Sequence, residues 1–157
     1  MNDRMDWSSR RLVLIDIENV VGGLVCDEKC AACARLTIRC AVGAHPMDQV
    51  VVATCHKGYE HVAWSWPKAR RLVRSGKDGA DLALLEVLRE DVASRFAHVV
   101  LVSGDGIFAD AVTDLGQRGT LVTVASRRSH LSNRLRLAAA RVVLLDEAML
   151  APFRSAS

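Results

Sequence analysis

The sequence predicts an α/β fold, a mainly parallel β-sheet with helices on both faces. Short β-branched runs of nearly unbroken apolarity recur along the chain, as in RLVLIDI (11–17), QVVVATC (49–55) and HVVLVSG (98–104). They alternate with segments of helical periodicity. A strand that is apolar throughout is buried on both faces, which a parallel sheet covered by right-handed crossover helices provides. The chain has 157 residues, half of them apolar, enough for one domain with a substantial core. No internal repeat, low-complexity tract or linker divides it.

In chain order, the first strand closes on Asp16. A helical span follows from about Gly23 to Val42, in which positions 26, 30, 33, 37 and 40, four of them cysteine, recur at helical spacing and form an inner stripe. The second strand, 49–55, leads to a short helix at Tyr59 to Trp64 and a third strand in ARRLVRS (69–75). The strongest helical pattern is DLALLEVLREDVASR (81–95), with Asp81 in the first turn where an acid suits the helix dipole. The fourth strand, 98–104, is followed by a helix from Phe108 to Gln117 that Gly119 ends. TLVTVAS (120–126) is the fifth strand, Leu131 to Ala140 the last helix and RVVLLD (141–146) the sixth strand. The whole chain, 1–157, reads as a single domain with a core of about 11–146 and flexible segments at 1–10 and 152–157.

Composition narrows the function classes. No apolar run is long enough to cross a bilayer, and MNDRMDWSSRR lacks the apolar core of a signal peptide, so the expectation is a cytoplasmic protein away from membranes. Five cysteines in a chain this large are expected as reduced thiols. The net charge is only +3, but charge is segregated. No acid lies between Glu60 and Asp78, where Lys68, Arg70, Arg71, Arg74 and Lys77 do. None lies between Asp114 and Asp146, where Arg118, Arg127, Arg128, Arg134, Arg136 and Arg141 do. Such spans are how a phosphate-binding face looks in sequence, and also how a solvated surface looks.

The acids carry the chemistry. In open α/β sheets ligands bind beyond the carboxyl ends of the strands. Asp16 ends the first strand, with Glu18 and Asn19 next to it, and Asp105 follows the fourth strand in LVSGDGIF. Asp78 lies in the loop of GKDGADLALL and Asp81 at the helix start. Each has a local explanation as a cap or turn former, but their joint placement after three strands does not. If the first and fourth strands are neighbours, these carboxylates converge. Converging carboxylates repel unless a cation lies between them, and oxygen ligands suit magnesium or manganese.

Other residues support competing readings. Cys26, Cys30 and Cys33 have the CxxxCxxC spacing of an iron–sulfur site, and Cys40 or His45 could complete a zinc site, whereas helical periodicity favours core packing. His45, His56, His61, His98 and His130 form no motif with a nucleophile, although His56 and His130 are placed to face a cleft. Trp64 and Trp66 in AWSWP either stack on bases or pack on a sheet edge.

The segments IDIEN, GKDGADLALL, LVSGDGIF and GTLVTVAS resemble the successive motifs of the NYN domain, a branch of the PIN-like nuclease superfamily, over roughly residues 11–146. The resemblance implies a Rossmann-like three-layer α/β/α sandwich with parallel strand order 3-2-1-4-5. A sixth strand is then expected at an edge. It also implies a metal-dependent endoribonuclease site at Asp16, Asn19, Asp81 and Asp105. Asp16, Asp81 and Asp105 would bind Mg2+ or Mn2+. Many NYN sequences carry a further Asp where this chain has Ile107, so Asp110, Asp78 and Glu18 are the candidate substitutes. The expected substrate is RNA, single-stranded or structured, held by Lys77, Arg127, Arg128 and Arg134, with Ser103 beside Asp105 donating to a carboxylate or a phosphate. Two alternatives stay open: a catalytically silent module binding RNA or a protein, and a small phosphohydrolase or receiver using the acid after the first strand. Against the phosphohydrolase, Asp16-Ile17-Glu18 stands where that design has DxD. An apolar helix face leaves room for a homodimer.

Overall fold

A computed structural model describes residues 10–151, so the expected flexible ends, apart from Arg10, lie outside the described residues. Six strands, β1 (Arg11–Asp16), β2 (Gln49–Thr54), β3 (Arg70–Val73), β4 (His98–Val102), β5 (Leu121–Ser126) and β6 (Arg141–Leu144), form one sheet. All neighbours are parallel and the order is β3-β2-β1-β4-β5-β6, as expected. Among the described residues, six helices lie between the strands, α1 (Ile17–Val21), α2 (Glu28–Val42), α3 (Tyr59–Ser65), α4 (Gly79–Arg89), α5 (Ala109–Gln117) and α6 (Asn133–Ala138), and α7 (Glu147–Leu150) follows β6.

The unbroken apolarity of β1 follows from its central place. Leu12 and Leu14 point into one core with α4, α5 and α6, while Val13 and Ile15 point into the other with α1, α2, α3 and α7. Each such side chain contributes about 1.5–3 kcal/mol on burial. Arg11, at the amino end of β1, is buried and donates Nε and Nη2 to the Asp48 carboxylate at 2.8 and 2.7 Å, closing that edge of the sheet. No helix of the described residues is long and apolar enough to cross a membrane.

Two helices differ from expectation. The helix expected from about Gly23 starts at Glu28, where the Asp27 side chain caps Cys30 N–H at 2.7 Å, and a short helix not expected from the sequence, α1, precedes it and is ended by Gly22 in a left-handed conformation (φ 81°). The inner stripe of α2 is accordingly Cys30, Ala31, Ala34, Thr37 and Ile38. Cys26 precedes the helix and Cys40 faces outward, and all five cysteines are free thiols. Helix α4 stops at Arg89 and not at 95, since the chain turns at Glu90 and sends Val92 and Phe96 back into the core.

Candidate active site

Register builds the centre of the site. Ile15 pairs with Val102 in the β1–β4 ladder, so the next residues, Asp16 and Ser103, lie side by side where both strands end. The Ser103 hydroxyl donates to Asp16 Oδ2 at 3.2 Å, and Asn19 N–H donates to Asp16 Oδ1 at 3.3 Å. Asp16 is thus a helix cap for α1 and a buried carboxylate together. Ser103 also accepts from Asp105 N–H at 3.3 Å and is fully buried. Its place is behind the acid, out of reach of a phosphate.

Asp81 comes from the first turn of α4, across the end of the sheet, and its buried carboxyl lies within hydrogen-bonding reach of Asp16. Burial raises the Asp81 pKa, and the facing Asp16 with the charges of Asp105 and Asp78 pushes it up to about 9. The Asp16 pKa is raised as well, by burial first, although its hydrogen bonds oppose this. Two carboxylates in contact cannot both ionise cheaply, so they share a proton. Asp105 reaches the pair through its field, while its Oδ1 accepts from Ile107 N–H at 2.9 Å as cap of the single turn Gly106–Phe108. Asp78, just before α4, holds φ 57°, the one positive φ of a non-glycine residue among the described residues.

Asn19 ties the loops together. Its side-chain carbonyl accepts from Gly104 N–H at 2.9 Å, and its backbone carbonyl lies 3.0 Å from His130 Nδ1. A side chain at Gly104 would collide with the His130 carbonyl and the Ser126 hydroxyl, so the loop after β5 seats directly on the loop after β4. Glu18 turns away from the other acids: its carboxylate accepts from Cys55 N–H at 2.8 Å and from the Thr54 hydroxyl at 3.4 Å, pinning the end of β2.

The remaining positions separate by reach. Lys77 and Arg128 are exposed on loops at the carboxyl edge. Arg134 is exposed on α6 and paired with Asp110 at 3.0 Å, which leaves Asp110 on the outer surface of α5, 93% exposed, away from the acid pair. Arg127 is 4% exposed; its Nε has no hydrogen-bond partner and lies 3.8 Å from Glu147. It is a buried cation behind the α1 loop, where its guanidinium blocks the space beside Gly22. Trp66 is buried in the core under α2, and Trp64 is exposed. His130, which the sequence places toward a cleft, belongs to the site frame, and so do Thr54 and the Cys55 N–H, which sequence reasoning did not assign and for which it held no signal.

The donor set suits a hard divalent cation by its chemistry: carboxylate oxygens, desolvated, with one acid held protonated by the other. Among the described residues no three His, Cys, Asp or Glu side chains already stand together as an ion-holding group. Asp16 and Asp81 stand in contact, while Asp105 stands apart from them with its Oδ1 accepting from Ile107 N–H.

The fold recurs in the crystal structure of a protein of unknown function from Vibrio parahaemolyticus, with TM-score 0.65, 18% identity, and 90% of this chain and 96% of that one covered. No curated protein matches the chain. Residues 10–146 match the NYN domain, so that the chain belongs to the NYN domain family, within the PIN-like nuclease superfamily.

Proposed function

We propose that this protein is a divalent-metal-dependent endoribonuclease that hydrolyses RNA phosphodiesters in the cytoplasm. The observation that carries the reading is the contact between Asp16 and Asp81, two buried carboxyls that repel each other strongly enough to keep one proton to about pH 9. A protein gains nothing in stability from such a pair; a cation relieves it. Asp16, Asp81 and Asp105 would hold Mg2+ or Mn2+, with Asp78 beside them. When bound, such an ion supplies Lewis-acid activation of water and neutralises charge on the phosphodiester.

The chain's own residues do the rest. Ser103 and the Asn19 N–H fix the Asp16 carboxylate, and the Asn19 side chain, through Gly104, keeps the loop bearing Asp105 in place. Lys77, Arg128 and Arg134 offer cations to the RNA backbone at the same edge, while Arg127 holds the α1 loop from behind. The deciding experiment is cleavage of a fluorescent single-stranded RNA with manganese, magnesium or EDTA by wild type and Asp16→Asn. Metal-dependent cleavage lost in the variant supports the enzyme; equal cleavage by both proteins refutes the assignment. Ile107, standing where many NYN sequences carry a further Asp, favours one second reading, a silent RNA-binding module. RNA binding with no cleavage under any metal would select it.

A further inference from the structure

Away from the acids, α2 and α3 border a groove of about 360 Å³ on the sheet face that carries α1 and α7. Trp64 stands on its wall 72% exposed, and Leu36 beside it is 54% exposed. Arg35 and Arg39 line the same groove. Four residues apart on one helix, they are about 6 Å apart along its axis, on the order of one nucleotide step. Neither forms an ion pair among the described residues, whereas Arg70, Arg74, Arg118 and Arg134 each have a carboxylate partner. The two arginines also border an adjoining cavity of about 320 Å³ to which Lys68 contributes. Glu28 is the acid of the groove, at the start of α2.

We propose that this groove is a second contact surface for single-stranded RNA, in which Trp64 stacks on a base while Arg35 and Arg39 contact phosphates. An exposed indole flanked by unpaired guanidinium groups matches the combination of π-face and anion that a single strand presents at every nucleotide. Charge argues against a second copy of this chain as the occupant: a two-fold contact would set Arg35 and Arg39 close to their own copies. Helix α2 follows β1 and runs antiparallel to it, so Glu28 lies nearest the carboxyl edge and Arg35 and Arg39 lie about 10 and 16 Å farther along the helix. A strand leaving the cleft can continue along it. The inference rests on the RNA reading above in its choice of polymer, but not on the presence of catalysis.

The test is equilibrium binding of short and long labelled oligouridine, in EDTA, to wild type, Trp64→Ala and the double variant Arg35→Gln/Arg39→Gln. All three side chains are exposed, and matching thermal melts confirm intact folds. Trp64→Ala should weaken the long oligonucleotide about tenfold, with little effect on the short one. The double variant should flatten the slope of log affinity against log salt by about 1.4. Unchanged affinity and slope in both variants overturn the surface, as does a wild type that binds no RNA. So does a Trp64→Ala protein whose one change is dissociation of a dimer in sedimentation. Cleavage abolished by Asp16→Asn alongside unchanged binding in the groove variants removes this proposal and leaves the nuclease; groove-dependent binding with no cleavage does the reverse.

Discussion

Replacing Asp81 by asparagine should make the metal-free protein more stable, although it removes a proposed ligand. The carboxyl is ionised in the unfolded chain above its ordinary pKa of 3.8, and in the fold it keeps its proton to about 9. At pH 7 that difference disfavours the folded state by at most about 4 kcal/mol, at about 1.4 kcal/mol per pKa unit. Water at the cleft mouth and the burial cost that Asp16 retains reduce the expected gain to about 2 kcal/mol, or about 4–8 °C in Tm for a chain of this size. The sign follows from the raised pKa. The penalty is absent below pH 3.8, grows as the pH rises and levels off near 9. Urea denaturation of wild type and Asp81→Asn in EDTA, across that range, measures it. Manganese should then raise the stability of wild type and narrow the gap, because a cation between the acids removes the repulsion that the amide removes by chemistry. A variant less stable than wild type at alkaline pH, or a gap that does not vary with pH, would refute the claim that these two acids oppose each other.

Two further outcomes test the frame around the site. Asp48→Ala leaves Arg11, 8% exposed, without its carboxylate and should cost about 3–5 kcal/mol in urea denaturation. Burial raises the Asp48 pKa, but the bonds from Arg11 and the His45 N–H outweigh it and hold the value below 3.8. The pair therefore stabilises fully above that pH, and the wild-type advantage should fade as the pH falls through the lowered pKa. Gly104→Ala places a methyl group against the His130 carbonyl and the Ser126 hydroxyl, which must move apart. A loss of about 1–3 kcal/mol is expected from overpacking, together with slower RNA cleavage; unaltered stability would mean that the two loops are not in contact.

Most of the fold was legible because it depends on local pattern. The buried runs of β1, β2, β4 and β5 announce themselves, and Gly119 marks the end of α5. Helix α2 was misplaced at its start since the Asp27 side chain, capping Cys30 N–H, sets the first turn at Glu28 although helical spacing can be read back to residue 26. The end of α4 was misplaced for a related reason: Val92 and Phe96 keep helical spacing yet reach the core through a turn. At the site, Asp16 and Asp81 were readable as acids after strands. That Ser103 serves Asp16, and that Glu18 serves β2, depends on which strands are neighbours and on side-chain direction, neither of which is local.

Charge shows the same limit most clearly. Two acid-free spans in the sequence suggest two free cationic faces. In space, Arg70 and Arg74 find Glu90 and Glu86, Arg118 finds Asp91, and Arg134 finds Asp110, all from outside those spans. Linear segregation is undone by α4 and α5 folding against the sheet. Arg35 and Arg39 behave oppositely: they sit in an unremarkable helical stretch, and they remain unpaired because Glu28, the acid on their face of α2, lies two turns before Arg35, about 10 Å away along the axis. Positive surface available to a phosphate chain is therefore decided by helix packing, and charge reversal at Arg35 and Arg39 should disturb RNA binding more than charge reversal at Arg70 and Arg74, whose charges Glu90 and Glu86 already neutralise.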